Sequence, residues 1–214
     1  MKQFAVIDFE TTGLRAGADR IIEVAAVIVQ DGEIVATFSE LMNPGFQIPS
    51  FITGLTGISN AMVRGKPRPE NIMPRLRDFL GNHVCIAHNA SFDQRFFTAE
   101  MELAGQPHGR TFLCSLLLAR RLLQRMPNHQ LGTLSRHLRL TMPTGLTAHR
   151  ALADALITCK LWKHLCDVLY ERLNCDALDL AMIKVLMKKP KAAVEDYLTS
   201  IAKMSYGRIG ASTF

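Results

Sequence analysis

The sequence predicts a mixed α/β sheet with helices on both faces, and three observations predict it. A continuous apolar run, Phe4-Ala5-Val6-Ile7, stops at Asp8 as a buried strand does. Two apolar-rich stretches, 21–29 and 34–41, flank Asp31-Gly32, a strong signal for a two-residue hairpin between antiparallel neighbours. Beyond residue 80, short strand-like runs alternate with helix-like stretches, the texture of crossover connections.

Each element follows in turn. Residues 3–8 form the first strand, so the acids after Ile7 emerge at its C-terminal end. Residues 43–69 are punctuated by Pro and Gly, with room for two short helical turns. A helix then runs to Leu80, with Ile72, Leu76, Phe79 and Leu80 on one face and Pro74 tolerable only near its first turn. Residues 84–87 read as a short buried strand, 92–103 as a helix through Phe92, Phe96, Ala99 and Leu103, and 111–114 as a fifth strand. Helices follow over 115–123 and 131–138. Leu152, Leu156, Leu161, Leu165, Val168 and Leu169 predict one long helix between residues 150 and 172. After Asn174 the texture changes: a helix over 176–189, a stop at Pro190, and a second amphipathic stripe at Val194, Tyr197, Leu198 and Ile201. Residues 1–173 thus read as one domain, and 174–214 as a C-terminal helical appendage, either a docking element or a cap on the core.

A chain of 214 residues that is 48% hydrophobic can fill one large core. Lys+Arg 25 against Asp+Glu 19 gives a net charge of +6, which favours a polyanionic partner. Distribution says more than the sum: residues 106–150 carry seven arginines and no Asp or Glu. Such a stretch tracks a phosphate backbone or forms a solvated helix surface. Cysteines 85, 114, 159, 166 and 175 are odd in number, lack a CxxC pair and mostly lie in apolar runs, as buried reduced thiols do. The opening residues reach an acid by Asp8 without a small-residue cleavage site, and no 18-residue uncharged apolar run occurs. A cytoplasmic location is the expectation.

Four acids stand in apolar surroundings, where an unpaired carboxylate is unfavourable: Asp8 and Glu10 in VIDFETTG, Asp93 in AHNASFD and Asp154 in AHRALAD. Asp8 and Glu10 are two apart on a strand end, so both side chains point to one face. His88 and Asp93, like His149 and Asp154, are five apart; on a single helix they would lie about 140° apart. The consistent geometry puts each histidine before a helix and each Asp in its first turn, with Asn89 or Ser91 as an N-cap for the first. Hard carboxylate oxygens without a thiolate cluster suit Mg²⁺ or Mn²⁺. Two such ions activate water and stabilise the leaving oxygen of a phosphodiester displacement, with a neutral histidine as proton acceptor. Thr11-Thr12-Gly13 then turns the chain, and its backbone N–H groups suit an anion or a sugar hydroxyl. His129, His137 and His164 read as structural.

VIDFETTGL, LTGIS, AHNASFD and HRALADA, in this order, resemble the DEDDh branch of the DEDD (DnaQ-like) 3′–5′ exonucleases, typified by the proofreading epsilon subunit of bacterial DNA polymerase III. The likeness covers about residues 3–170. It implies an RNase H-like fold with a five-stranded mixed sheet. It implies Asp8, Glu10, Asp93 and Asp154 as the ligands of two divalent cations and His149 as the general base. It further implies that Thr12 and its neighbours hold the terminal nucleotide, that Leu14 and Ile58 wedge against its base, and that His88, Asn89 and Phe92 line the strand's path. The implied activity is release of nucleoside 5′-monophosphates from single-stranded DNA ends, of proofreading or repair type. An exoribonuclease of the RNase T or oligoribonuclease kind is the alternative, and a non-catalytic nucleic-acid-binding or polymerase-accessory module the alternative of another class. Residues 174–214 lie outside the resemblance, and a polymerase or repair partner would meet the chain there.

Overall fold

The computed structural model describes residues 3–107, 109–141 and 149–209, with side chains as far as residue 203. Residues 142–148 of the arginine-rich stretch and the far end of the appendage, 210–214, lie outside the described residues. Among those described, the strands are β1 (Gln3–Thr11), β2 (Ile21–Gln30), β3 (Glu33–Leu41), β4 (Cys85–Ala87) and β5 (Phe112–Cys114). They form one sheet in the order β3-β2-β1-β4-β5. β1 pairs antiparallel with β2 and parallel with β4, and β4 pairs parallel with β5, so the sheet is mixed as predicted.

The Asp31-Gly32 hairpin closes between Gln30 and Glu33, with φ 50° and 88° at its central residues. Both angles are left-handed, as a type I′ turn requires, and Asp followed by Gly is the pair that accepts them. β2 is buried along almost its whole length, which requires cover on both faces. The cover comes from different helices. Phe38, opposite Ala26, stacks on Phe79 of α3 (Pro69–Leu80) at 5.4 Å between ring centroids. Glu23 lies an odd number of positions from Ala26, hence on the other face, where it meets Ala151 of the helix over residues 151–173.

Two short helices, α1 (Ser50–Thr56) and α2 (Asn60–Val63), answer to the expected turns. They build a satellite core of Ile48, Ile52, Ile58 and Val63 on Ile22 of β2. α3 departs from expectation, because Pro69 occupies its first turn and Pro74 falls in its interior. An interior proline costs about 3 kcal/mol. Burial of Ile72, Met73, Leu76 and Leu80 on the sheet offsets that, at about 1.5–3 kcal/mol each. The remaining helices are α4 (Ala90–Leu103), α5 (Ser115–Leu122), α6 (Leu131–His137), α7 (Ala151–Leu173), α8 (Leu180–Lys188) and α9 (Val194–Ile209). α8 starts later than the apolar pattern predicts because Asp179 caps it, its carboxylate accepting the Ala181 N–H at 2.8 Å.

Leu178, Met182, Ile183, Leu186, Met187, Val194 and Leu198 are buried in the same core as the sheet. All five cysteines are free thiols, and Cys85, Cys114, Cys159 and Cys166 are buried. No helix among the described residues is long and apolar enough to cross a membrane.

The appendage's packing has a measurable consequence. Leu186→Ala, at a fully buried site, is expected to lower the stability of the whole chain by about 2–5 kcal/mol in urea denaturation. A loss below about 0.5 kcal/mol, the range of an ordinary surface change, would detach α8 from the core.

Candidate active site

The site assembles where β1 runs out past the sheet. Pleating puts Asp8 and Glu10 on one face of the strand and Phe9, 5% exposed, into the core on the other. α7 crosses the acidic face, and Asp154, in its first turn, brings a carboxylate to both. Oxygens of Asp8, Glu10 and Asp154 all lie within 4.8 Å of one another. Asp93 is buried within reach of the Asp8 charge, and the Phe9 backbone favours its charged form. Asp93 and Asp154 each stand at the fourth residue of a helix, α4 from Ala90 and α7 from Ala151. Each histidine precedes its helix, as the five-residue spacing demanded. Asn89 is the residue flanking α4, with φ 73°, but its side chain makes no capping bond. Its role is the left-handed bend.

The charges are strained by their proximity. Burial, then the carboxylates of Asp93, Asp154, Glu10 and Glu23, holds Asp8 well above the usual carboxylate range. Glu10 is pushed up to about 8 by burial and by Asp154, Glu23 and Asp93, against a smaller downward pull from Arg150. Burial raises Asp93 to about 7. Asp154 is raised by burial too, although His149 attracts it in the other direction. Hard oxygens in this number, facing one another without enough cation, fit divalent ions.

One residue of this site escaped the sequence reading. Glu23 lies directly opposite Glu10 on β2, a like-charge pairing that destabilises a sheet unless countered. Arg150 counters it: Nη2 donates to Glu23 Oε1 at 2.5 Å, and Nε donates to both oxygens at 3.1 Å. Glu23 Oε2 also accepts the Ala151 N–H at 2.9 Å, so a carboxylate from the sheet caps α7 where Arg150 offers no capping group of its own. The pair fixes the helix start on which His149, at φ 59°, and Asp154 depend. Its signal was present: Glu23 is the single acid in the run IIEVAAVIV.

The softer assignments are redistributed. Thr11 and Thr12 are buried, with the Thr11 hydroxyl donating to Gly13 O at 2.6 Å and Thr12 Oγ1 accepting the Arg20 N–H at 3.0 Å. They shape the loop and do not point outward. Asp19 completes it by accepting the Arg15 N–H at 2.8 Å, and a Cβ on Gly13 would sit 2.6 Å from that carboxylate. What the loop presents is Leu14, 78% exposed. Ile58 does not reach the surface, being fully buried in the satellite core; from the same LTGIS motif it is Leu55 that is exposed. His88 is engaged at both nitrogens, 2.9 Å from Ser115 Oγ and 2.9 Å from His129 O, and burial holds it down to about 4. It therefore acts as a neutral brace. Asn89 is exposed and Phe92 half-buried against Phe96. A cavity of about 610 Å³ lies elsewhere, between the β2–β3 hairpin and α7, and holds none of these residues. His149 and Asp154 line a smaller one with Gln130 and Thr133.

Residues 5–162 match the RNase T exonuclease family. The chain belongs to that family. DNA polymerase III PolC-type from Caldanaerobacter subterraneus is 38% identical over 169 residues, 79% of this chain. Its counterpart from Oceanobacillus iheyensis is 40% identical over 166 residues. The chain spans only 12% and 11% of those relatives' length. Among solved structures, exonuclease X in complex with 5′ overhanging duplex DNA is similar with TM-score 0.68 and 30% identity, covering 86% of this chain and 99% of that one. Exonuclease I shares the fold, with TM-score 0.67 and 18% identity over 80% of this chain and 44% of its own. The mixed sheet is thus the RNase H-like sheet that these exonucleases share.

Two expected outcomes follow from the electrostatics of this site. A carboxyl whose folded pKa exceeds its unfolded value binds more protons when folded, so its contribution to stability falls as pH rises from about 4 toward its folded pKa. For Glu10 and Asp93 that limit is about 8 and about 7. In EDTA, Tm should therefore fall between pH 5.5 and 8, Glu10→Gln should flatten the fall, and Mg²⁺ should restore more at pH 8. A Tm profile indifferent to Glu10→Gln would break the argument. Glu23→Ala should lower stability by about 1–3 kcal/mol and turnover by about 10- to 10²-fold through misplacement of α7, with Glu23→Gln recovering part of both. Wild-type turnover in Glu23→Ala would remove the pair from the site.

Proposed function

We propose that the protein removes nucleotides one at a time from the 3′ ends of single-stranded DNA, releasing nucleoside 5′-monophosphates, in proofreading or repair. The observation that carries this is the convergence of Asp8, Glu10 and Asp154 within 4.8 Å at an open strand end, with Asp93 behind and His149 in front. The exonuclease X structure with 5′ overhanging duplex DNA and the PolC-type DNA polymerases among the relatives favour DNA over RNA. A polymerase or repair partner would meet residues 174–214 on the faces left free, since Leu178, Met182, Ile183, Leu186, Met187, Val194 and Leu198 are buried in the protein's own core.

Asp8, Glu10, Asp93 and Asp154 would hold two divalent cations, Mg²⁺ or Mn²⁺. Bound there, such ions activate water and neutralise charge developing on the phosphoryl oxygens. The chain's own residues supply the rest. His149 stands exposed on the rim, beside Asp154 and free to meet solvent, where its ring accepts the proton of the attacking water. Hydroxide oxygen bonds to the terminal phosphorus as the bond to the 3′ oxygen of the preceding nucleotide breaks, and that oxygen leaves with a proton from solvent. Arg150, bound to Glu23, is held from swinging into the acid cluster and replacing the ions. Leu14 offers apolar surface to the terminal base.

End-labelled DNA and RNA oligonucleotides with Mg²⁺ or Mn²⁺ test the reading directly: stepwise loss from the 3′ end, faster for DNA, is expected. Persistence of both, or faster loss of RNA, would overturn it. Asp8→Ala and Asp154→Ala should abolish turnover while the fold survives, since each removes a repelling charge. His149→Ala should lower kcat by about 10²- to 10⁴-fold and flatten the pH–rate profile near neutrality. An unchanged profile would reassign the base.

A further inference from the structure

A series of hydrogen bonds leads from the rim of the site to the C-terminal appendage. His88, just before α4 and its Asp93, stands 2.9 Å from His129 O. His129 Nε2 in turn lies 3.0 Å from Leu123 O, at the end of α5. The next residue, Gln124, donates from Nε2 to Lys191 O at 3.1 Å, in the turn between α8 and α9. The end of α5 and that turn are therefore fixed to the same end of the molecule as the catalytic acids.

Two groups of cations meet there. Arg120, Arg121 and Arg125 come from the end of α5, and Lys188, Lys189 and Lys191 from the turn. Among the described residues none of the six makes an ion pair. The neighbouring acid, Glu195, is taken by Arg172. Arg120 is close enough for its charge to act on His88. Two other arginines of the acid-free stretch have internal duties, Arg110 donating to Gly81 O and His83 O, and Arg150 to Glu23, while Arg136 and Arg139 are exposed, Arg136 beside the cavity of His149 and Asp154. Free charge thus gathers at this junction as well as on Arg136 and Arg139, and residues 180–194 carry four lysines with no acid.

We propose that this strip is a second nucleic-acid contact, which binds the phosphodiester backbone of the substrate strand on the 5′ side of the scissile bond. The proposal rests on the exonuclease reading, since the strand that enters the site is the polyanion present at this end. The appendage then serves the strand's track as well as the core. Arg120, Arg125, Lys188 and Lys191, exposed and without ion pairs, come from two elements held in place by their backbones, as a sequence-independent backbone contact requires.

The test uses the full chain with Arg120→Gln, Arg125→Gln, Lys188→Gln and Lys191→Gln combined, all four side chains being exposed. Binding of a fluorescent single-stranded 20-mer is read by anisotropy in EDTA, so that no hydrolysis intervenes. Each lost phosphate contact removes about 0.7 from the slope of log K against log salt, so the slope should shrink by roughly 2 to 3 and affinity at low salt should fall by about tenfold or more. Arg120→Lys with Arg125→Lys should keep the wild-type slope. Unaltered slope and affinity in the four-fold variant, or a loss seen only with a polyglutamate probe, would overturn the proposal, the second result pointing to an acidic protein. If the wild-type chain bound the 20-mer through the strip yet trimmed no strand, the exonuclease reading alone would fail. Trimming with variant-insensitive binding would sink the strip alone.

Discussion

Glu10 and Glu23 stand directly opposite one another on adjacent strands, and the site depends on how that conflict is resolved. Opposed carboxylates on a sheet repel, and these two are buried or nearly so. The fold answers asymmetrically. Glu23 is given a guanidinium and a helix N–H, while Glu10 is left to rise to about 8. One acid is thereby settled into the structure and the other kept unsatisfied and facing Asp8 and Asp154. The same ion pair anchors α7, so the strain at Glu10 and the placement of Asp154 have a common origin. Separating them would require another cap for the helix.

A second constraint is the way both helices enter. α4 and α7 each begin next to a left-handed residue, Asn89 at φ 73° and His149 at φ 59°, and each delivers its acid in the first turn. Neither helix is capped by its own flanking side chain. An acid in the first turn faces the positive end of the helix and the strand end together, which lets a buried Asp93 remain compatible with the fold. The bends use the histidines differently. His88 is fastened at both ring nitrogens and kept neutral, and His149 is left on the surface. Position in the motif is alike, and the surroundings separate a fastened, neutral ring from an exposed one.

Most of the sheet was legible because its signals are local. Asp31-Gly32 dictated the hairpin, and the uninterrupted apolar run of β2 required cover on both faces. The four acids stood out because each broke an apolar pattern. Glu23 broke one equally but was passed over, since its partner Arg150 is 127 positions away and nothing in a single strand announces a cap for a distant helix. Ile58 was misplaced for a related reason. LTGIS gives the loop and leaves open which residue faces inward; packing against Ile22, Ile48, Ile52 and Val63 takes Ile58 and leaves Leu55 outside. Thr12 shows the same limit, because Arg20 and Asp19 close the loop on its hydroxyl. Pro74 shows a further one, since burial of a whole helix face outweighs a penalty that local rules treat as decisive.

The junction of α5 with the appendage extends the logic of the site outward. A site that cleaved a polyanion here would have to attract it to a place crowded with carboxylates, and the acids at the strand end would repel it before any cation is counted. Lysines and arginines dispersed evenly would be drawn into pairs with the protein's own acids, as Arg20 is with Glu70 and Glu100, and Arg150 with Glu23. Leaving long stretches free of acid prevents that pairing. Cations then stay available at low desolvation cost, because they remain in water until a phosphate replaces it. The acid-free stretches therefore keep the attracting charge separate from the repelling charge. The bonds from His88 through His129 to Lys191 hold the two at a fixed spacing.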